Sequence, residues 1–431
     1  MKKKLILIEL NEINFDILKK YSNKINFKFF NKELFDNLKT TSSETVYDNL
    51  EPWIQWVSVH TGLSANEHKI FRLGDISNSN LTQIFEIIES KGYQVSAICP
   101  MNTKNNLKYS KYFIPDPWTK TLKPKNFFQK IIYSTLSESV NDNSKNKLSI
   151  KNKIILLFLS IYFFTGKSLF KFIVYYFKSL KLKWYRAIIF DYLLHKIHIS
   201  YLKKFDIDFS TIFFNAGAHI QHHYLHNSKI IEDEIEKNPS WYINEKHDPI
   251  LDVYSFYDEI LSDYLEKNHS ILIATGLTQS PFIEKEYYYR LKDHQNFIKN
   301  LDINFKSIYP RMSRDFLITF NDQEDCLKAS EIFNKINQIN KINFFNYQIR
   351  ENSIFVIFCY NKKINKNFEM KLENNNSINL YNNVNFVALK NGKHDQKGYI
   401  TSFGEFQNFM PPENSHVKEL FNSIINYFDK K

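Results

Sequence analysis

Nine glycines in 431 residues leave little material for loops that wrap phosphates, and neither G-x-G-x-x-G nor G-x-x-x-x-G-K-[ST] occurs. Nucleotide binding through a dinucleotide fingerprint or a P-loop is thereby excluded. Cysteine is equally scarce. Cys99, Cys326 and Cys359 are far apart, odd in number and in no C-x-x-C pattern, which excludes a disulfide frame and predicts buried thiols of a reducing compartment. Long apolar runs are missing too: the stretch Ile154 to Gly166, thirteen uncharged residues, falls short of the roughly 20 that span a bilayer. After Met1-Lys2-Lys3-Lys4, the apolar run Leu5 to Leu10 is short and contains Glu9. It predicts a buried first strand and not a signal-peptide core. No dense basic run interleaved with aromatics stands out, so no specific nucleic-acid partner is expected. A cytoplasmic protein, or one peripheral to the inner membrane, is the expectation that remains.

What is present is apolar and basic. A hydrophobic content of 43% and an aromatic content of 16% suffice for a large core, as one α/β domain with insertions or as two domains. The net charge of +11 suits an anionic partner such as a phosphate, a glycan or a membrane surface. It equally suits a composition bias, because the lysines are spread diffusely among Asn, Ile, Phe and Tyr.

The order of elements predicts a largely parallel central sheet flanked by helices. Lys4 to Leu10, Tyr93 to Cys99, Ser210 to Asn215 and Ile271 to Thr275 have the texture of buried strands. Helices are expected from Asn14 to Lys20, Leu81 to Lys91 and Asp258 to Lys267. The core is assigned to 1–120, 205–310 and 380–431. Residues 121–204 form a Lys- and aromatic-rich helical insertion. Residues 311–379 form a small α+β subdomain, with strands at Asp315 to Phe320 and Ser353 to Tyr360 around a helix from Glu324 to Ile336. Within the insertion, lysines surround the apolar stretch of 150–185. That pattern fits a helical hairpin packed on the body, or an amphipathic helix at an anionic membrane surface.

Polar residues gather where open α/β sheets build their sites, just beyond strand ends. The first group is Glu9-Leu10-Asn11-Glu12. The second runs from Leu50-Glu51-Pro52 through Gln55 to His60-Thr61-Gly62 and His68. The third is Asn215-Ala216-Gly217-Ala218-His219 with Gln221, His222 and His223, and the fourth is Gly392-Lys393-His394-Asp395. Gln279 follows the strand at Ile271 to Thr275 closely enough to line the same pocket.

Four motifs in this order resemble the alkaline phosphatase superfamily, in particular its phosphodiesterase and nucleotide-pyrophosphatase branch. A strand ending in a metal-binding acid resembles Leu5 to Glu12. The pattern T-G-x-x-P-x-x-H-G-I resembles Thr61-Gly62-Leu63-Ser64-Ala65-Asn66-Glu67-His68-Lys69-Ile70. D-x-x-x-H resembles Asn215 to His219, and a late G-x-H-x-x-x-G resembles Gly392 to Gly398. The phrases LEPWIQWVSVHTG, IPDPW and GAHIQHH are similar to a bacterial subgroup with altered metal ligands.

The resemblance implies an alkaline-phosphatase-like fold and a hydrolase or transferase of phosphate esters or glycosyl-phosphates, in surface polysaccharide or sugar-nucleotide metabolism. It also implies chemistry on two divalent ions with a Ser or Thr nucleophile. Carried over residue by residue, the ligands are altered. The first-strand Asp falls on Asn11 and the D-x-x-x-H carboxylate on Asn215, while Thr275-Gly276-Leu277-Thr278 offers no ligand where two are expected. Leu50 and Glu51 occupy the nucleophile's place. One zinc or manganese site at most is expected, from Asn215, His219 and His394. Glu51, Glu9, Glu12 and His222 are the catalytic candidates, and Asn11, Gln55 and Gln279 the substrate-binding ones. The alternative is a catalytically inactive binding protein at a membrane surface.

Overall fold

A computed structural model describes residues 2–141, 149–231, 235–311 and 314–430. The predicted insertion and subdomain include residues 142–148 and 312–313, which lie outside the described set. Contacts divide the chain into two compact units. One comprises Met1–Ser137, Ser149–Ile283 and Asn391–Lys431, and the other contains Glu284–Lys390.

The first unit is built on an eight-stranded sheet. Its strands, in chain order, are β1 (Leu5–Leu10), β2 (Lys39–Ser42), β3 (Val95–Ile98), β4 (Phe113–Ile114), β5 (Phe209–Phe214), β6 (Ser270–Ala274), β7 (Lys397–Phe403) and β8 (Ser415–His416). In space the order is β8-β2-β7-β6-β1-β5-β3-β4. The run β6-β1-β5-β3-β4 is parallel throughout, whereas β7 lies antiparallel to β6 and β2. The expected α/β fold with a large, mainly parallel central sheet is therefore present. Every residue of β1 and β5 is buried, as continuous apolar strands must be when helices cover both faces.

Sequence boundaries shift where caps decide them. Asn14 caps the Phe15–Ser22 helix, its side chain accepting from the amides of Asp16 and Ile17. The helix expected from Asp258 begins earlier, at Pro249, because Asp248 accepts from Leu251 N at 3.0 Å and proline fits the first turn. The insertion folds into helices Phe127–Asn141, Ile150–Phe163, Gly166–Lys181 and Tyr185–Lys204. One face of the middle pair packs on the body: Phe164 is buried, with ring centroids 4.7 Å from Phe172 and 4.8 Å from Tyr192. No helix among the described residues is long and apolar enough to cross a membrane.

The second unit has its own core. A four-stranded antiparallel sheet, Phe345–Arg350, Ser353–Phe358, Asp315–Thr319 and Ser307–Pro310 in spatial order, carries the Gln323–Asn340 helix. Phe333 of that helix packs on Phe345 with ring centroids 4.9 Å apart.

Candidate functional site

The site grows from the carboxyl end of β1. Asn11 N donates to Phe214 O and Glu12 N to Thr275 O, both at 3.1 Å, so the chain stays pinned to β5 and to the end of β6 for two residues past the strand. At Glu12 the backbone turns left-handed, with φ 59°, a conformation that a residue with a Cβ adopts only under constraint. Gln221 supplies part of that constraint. Its Nε2 donates to Glu12 O at 2.7 Å, and its Oε1 accepts from Asn14 N and from the Tyr254 hydroxyl, each at 3.1 Å. The turn directs the Glu12 carboxylate away from Glu9.

The Ala216–Tyr224 helix brings His222 to this carboxylate. Its amino end is held by the buried Asp191, which accepts from Ala216 N at 2.8 Å and from the Tyr257 hydroxyl at 2.8 Å. Burial pushes the Asp191 carboxyl up to about 7 against the pull of these donors. His394 arrives from the carboxyl-terminal segment, anchored upstream by Asn391, whose Oδ1 accepts from Asn238 Nδ2 at 2.6 Å and His226 N at 3.1 Å.

Glu12, His222 and His394 thus converge. Glu12 Oε2 lies 3.1 Å from His222 Nε2 and 3.4 Å from His394 Nε2, and the two Nε2 atoms are 3.3 Å apart. Gln279 Nε2 also donates to Glu12 Oε2, and Asn11 Nδ2 donates to Glu12 Oε1 at 3.0 Å. Glu51 Oε2 lies 3.5 Å from the other ring nitrogen, Nδ1, of His394. Burial alone would raise the Glu12 carboxyl, but His394 and then His222 outweigh it and hold Glu12 well below the usual carboxylate range. Burial likewise opposes a charged His394, yet Glu12 and then Glu51 raise it to about 9.

The triangle fits a divalent ion. Ligands about 2.0–2.1 Å from a tetrahedral zinc lie roughly 3.3 Å from one another, and the three edges here are 3.1, 3.4 and 3.3 Å. One carboxylate with two imidazoles is also a donor set of catalytic zinc sites, which leave a further position open. These are the residues among those described whose ligand atoms cluster closely enough to hold a metal.

Other candidates take different places. Glu9 is fully buried inside the sheet–helix interface, 2.9 Å from His60 Nε2 and 2.9 Å from the Thr211 hydroxyl, with Thr103 on the far nitrogen of His60. Gln55 is buried and donates to Asn49 O at 2.9 Å. Asn215 Oδ1 accepts from Asn11 Nδ2 at 2.9 Å. His219 is exposed and packs edge-on against His223, with centroids 4.4 Å apart, so it lies outside the Glu12–His222–His394 cluster. His68 is a packing residue, bonded to Ser58 Oγ at 3.2 Å and accepting from Ile70 N at 2.9 Å. Trp56 is buried, donates to Asn11 Oδ1 at 2.9 Å, and lies so close to Gly276 that a Cβ there would be 3.3 Å from the indole.

Sequence reasoning did not find the clamp of Gln221 on the Glu12 turn, nor Asp191 beneath the His222 helix. The sequence places Gln221 in the third polar group but does not show what it binds. The signal available was a polar residue at a helix position where the adjoining residues Ile220 and Tyr224 are apolar.

No family model and no curated protein matches the sequence. Among solved structures, the chain is similar to an inactive form of murine ectonucleotide pyrophosphatase/phosphodiesterase 5 in complex with AMP, at 10% identity and TM-score 0.45, covering 99% of this chain and 95% of that one. It is similar to phosphonoacetate hydrolase from Sinorhizobium meliloti 1021 in complex with phosphonoformate, at 10% identity and TM-score 0.45, covering 99% and 96%. Alkaline phosphatase from the Antarctic bacterium TAB5 is similar at 9% identity and TM-score 0.36, covering 100% and 99%. All three belong to the alkaline phosphatase superfamily, the one that the sequence motifs resemble.

Proposed function

We propose that this protein is a phosphoesterase or phosphotransferase with a single divalent-ion site formed by Glu12, His222 and His394. The observation that carries the proposal is the spacing of the three ligand atoms, with Glu51 on the far nitrogen of His394. Glu51 Oε2 lies 3.5 Å from that nitrogen, Nδ1, and a proton held on Nδ1 leaves Nε2 facing Glu12 in the tautomer that ligation requires. A zinc or manganese ion bound there supplies a Lewis acid for a phosphoryl oxygen. Asn11 and Gln279 orient the Glu12 carboxylate, and Trp56 holds Asn11 in place through its indole N–H.

Glu51 is the group at the rim. Its side chain is 32% exposed, so it can take the proton of an attacking water or hydroxyl as the ester P–O bond breaks. No hydroxyl nucleophile stands in its place, because Leu50 beside it is apolar and buried. The substrate class proposed is an anionic phosphate ester of small size, with a glycosyl-phosphate as the first to try. A second reading, binding without turnover, draws on the same replacement of a hydroxyl by Leu50 and Glu51.

Elemental analysis of the purified protein, with a phosphomonoester and phosphodiester panel on wild type, Glu51→Ala and His394→Gln, separates these readings. About one zinc or manganese per chain, with activity lost in both variants, is expected. Activity that survives both substitutions removes these residues from the chemistry. A protein that holds the metal and binds phosphate esters without turning any over is the binding protein.

A further inference from the structure

The Ile150–Phe163 and Gly166–Lys181 helices bury one face against the body, and a surface helix of that kind should offer polar residues on the other. They do not. On the first helix Ile154, Leu157, Phe158, Ile161 and Tyr162 are exposed, at the i, i+3, i+4, i+7, i+8 spacing of a single stripe. On the second, Phe170, Ile173, Tyr176, Phe177 and Leu180 are exposed, with Phe170 at 71% and Phe177 at 63%. Ten large apolar side chains at this exposure make a patch on the order of 1,000 Å², well beyond the few hundred that a soluble surface ordinarily carries.

The charge around the stripe has one sign. Residues 150–183 contain seven lysines and no aspartate or glutamate. Lys151, Lys167, Lys178, Lys181 and Lys183 are exposed, while Lys171 turns inward to pair with Glu259. At 14 and 16 residues the helices are about 21 and 24 Å long, too short to span a core of roughly 30 Å.

We infer that this hairpin docks the protein on an anionic lipid bilayer. The two helices lie in the plane of the interface, with the aromatic and aliphatic stripe among the upper acyl segments and the lysines on acidic headgroups. A second copy of the chain would match the apolar stripe but would set lysines against lysines with no carboxylate in either hairpin. The charge therefore selects a lipid surface as the occupant.

Flotation of the full chain with vesicles tests this. Binding is expected to phosphatidylcholine vesicles containing about 30% phosphatidylserine, weakened by salt and far weaker to phosphatidylcholine alone. The paired change Phe158→Asp and Phe177→Asp removes flotation while the circular dichroism spectrum stays that of wild type. If that variant misfolds, the triple change Lys167→Gln, Lys181→Gln, Lys183→Gln leaves the apolar packing untouched and weakens partition on the order of a hundredfold. No flotation of wild type with acidic vesicles overturns the inference. So does a dimer in light scattering that the Phe158→Asp and Phe177→Asp pair dissociates, which would give the stripe to a second copy.

Discussion

Metal binding at the Glu12 cluster should release a proton, and the amount follows from one side chain. Without an ion, His394 Nε2 and His222 Nε2 both face Glu12 Oε2, and the carboxylates of Glu12 and Glu51 raise His394 to about 9. At neutral pH His394 is therefore doubly protonated, yet a ligand must present a bare nitrogen. Ion binding displaces about one proton from His394, and the apparent affinity gains about tenfold per pH unit up to about 9. From neutrality to that point the gain is roughly a hundredfold, or about 2.7 kcal/mol. Titration calorimetry with zinc or manganese in buffers of different ionisation enthalpy reads the proton count directly. Repeating it across the pH range reads the slope. His394→Gln should abolish the gain in affinity that accompanies rising pH up to about 9. A pH-independent affinity with no proton released would show that His394 is not a ligand, and the single-ion proposal would fall with it.

Three further outcomes are expected. Glu9→Ala takes the partner from His60 Nε2 and the acceptor from Met101 N in a sealed interior, so urea unfolding should show a loss of about 3–5 kcal/mol, while bound metal per folded chain stays unchanged. Chelated protein should carry a His394 contribution to stability that is complete below the ordinary histidine value of 6.5 and disappears as pH rises through about 9; denaturant melts across that range that show no such decline would refute it. Gly392→Ala would place a Cβ 2.1 Å from Gln279 Oε1 and 3.1 Å from Gln221 O, displacing the amide that holds Glu12. Metal affinity measured against a competing chelator should drop about 10- to 100-fold, and an unchanged value would show that Gln279 does not orient the ligand.

The strands of the sheet were legible because β1, β5 and β6 are short continuous apolar runs that only a doubly covered sheet can bury. The polar groups at their ends were legible for the same reason, since a buried strand that stops in Glu-Leu-Asn-Glu must place those side chains somewhere useful or paired. What could not be seen was which partner each would find. Glu9 and Glu12 are three residues apart, yet a left-handed turn sends one to His60 in the interior and the other to His222 and His394. The choice between His219 and His222 was equally hidden, because both lie on one short helix whose rotation is fixed by distant partners, Asp191 at its amino end and the Glu12 carbonyl that Gln221 binds. The hairpin was visible as an apolar stretch surrounded by lysines, but only packing tells which face is spent on the core.

The left-handed turn at Glu12 also bears on how such a site persists. Glycine would adopt φ 59° freely, whereas a side chain there costs on the order of 1 kcal/mol or more. Mutation toward comfort is therefore always open at this position, and it would erase the carboxylate. A glutamate held against its own backbone preference requires surroundings that over-determine the turn. The rest of the sheet carries that cost through the two backbone bonds that hold Asn11 and Glu12 to β5 and β6.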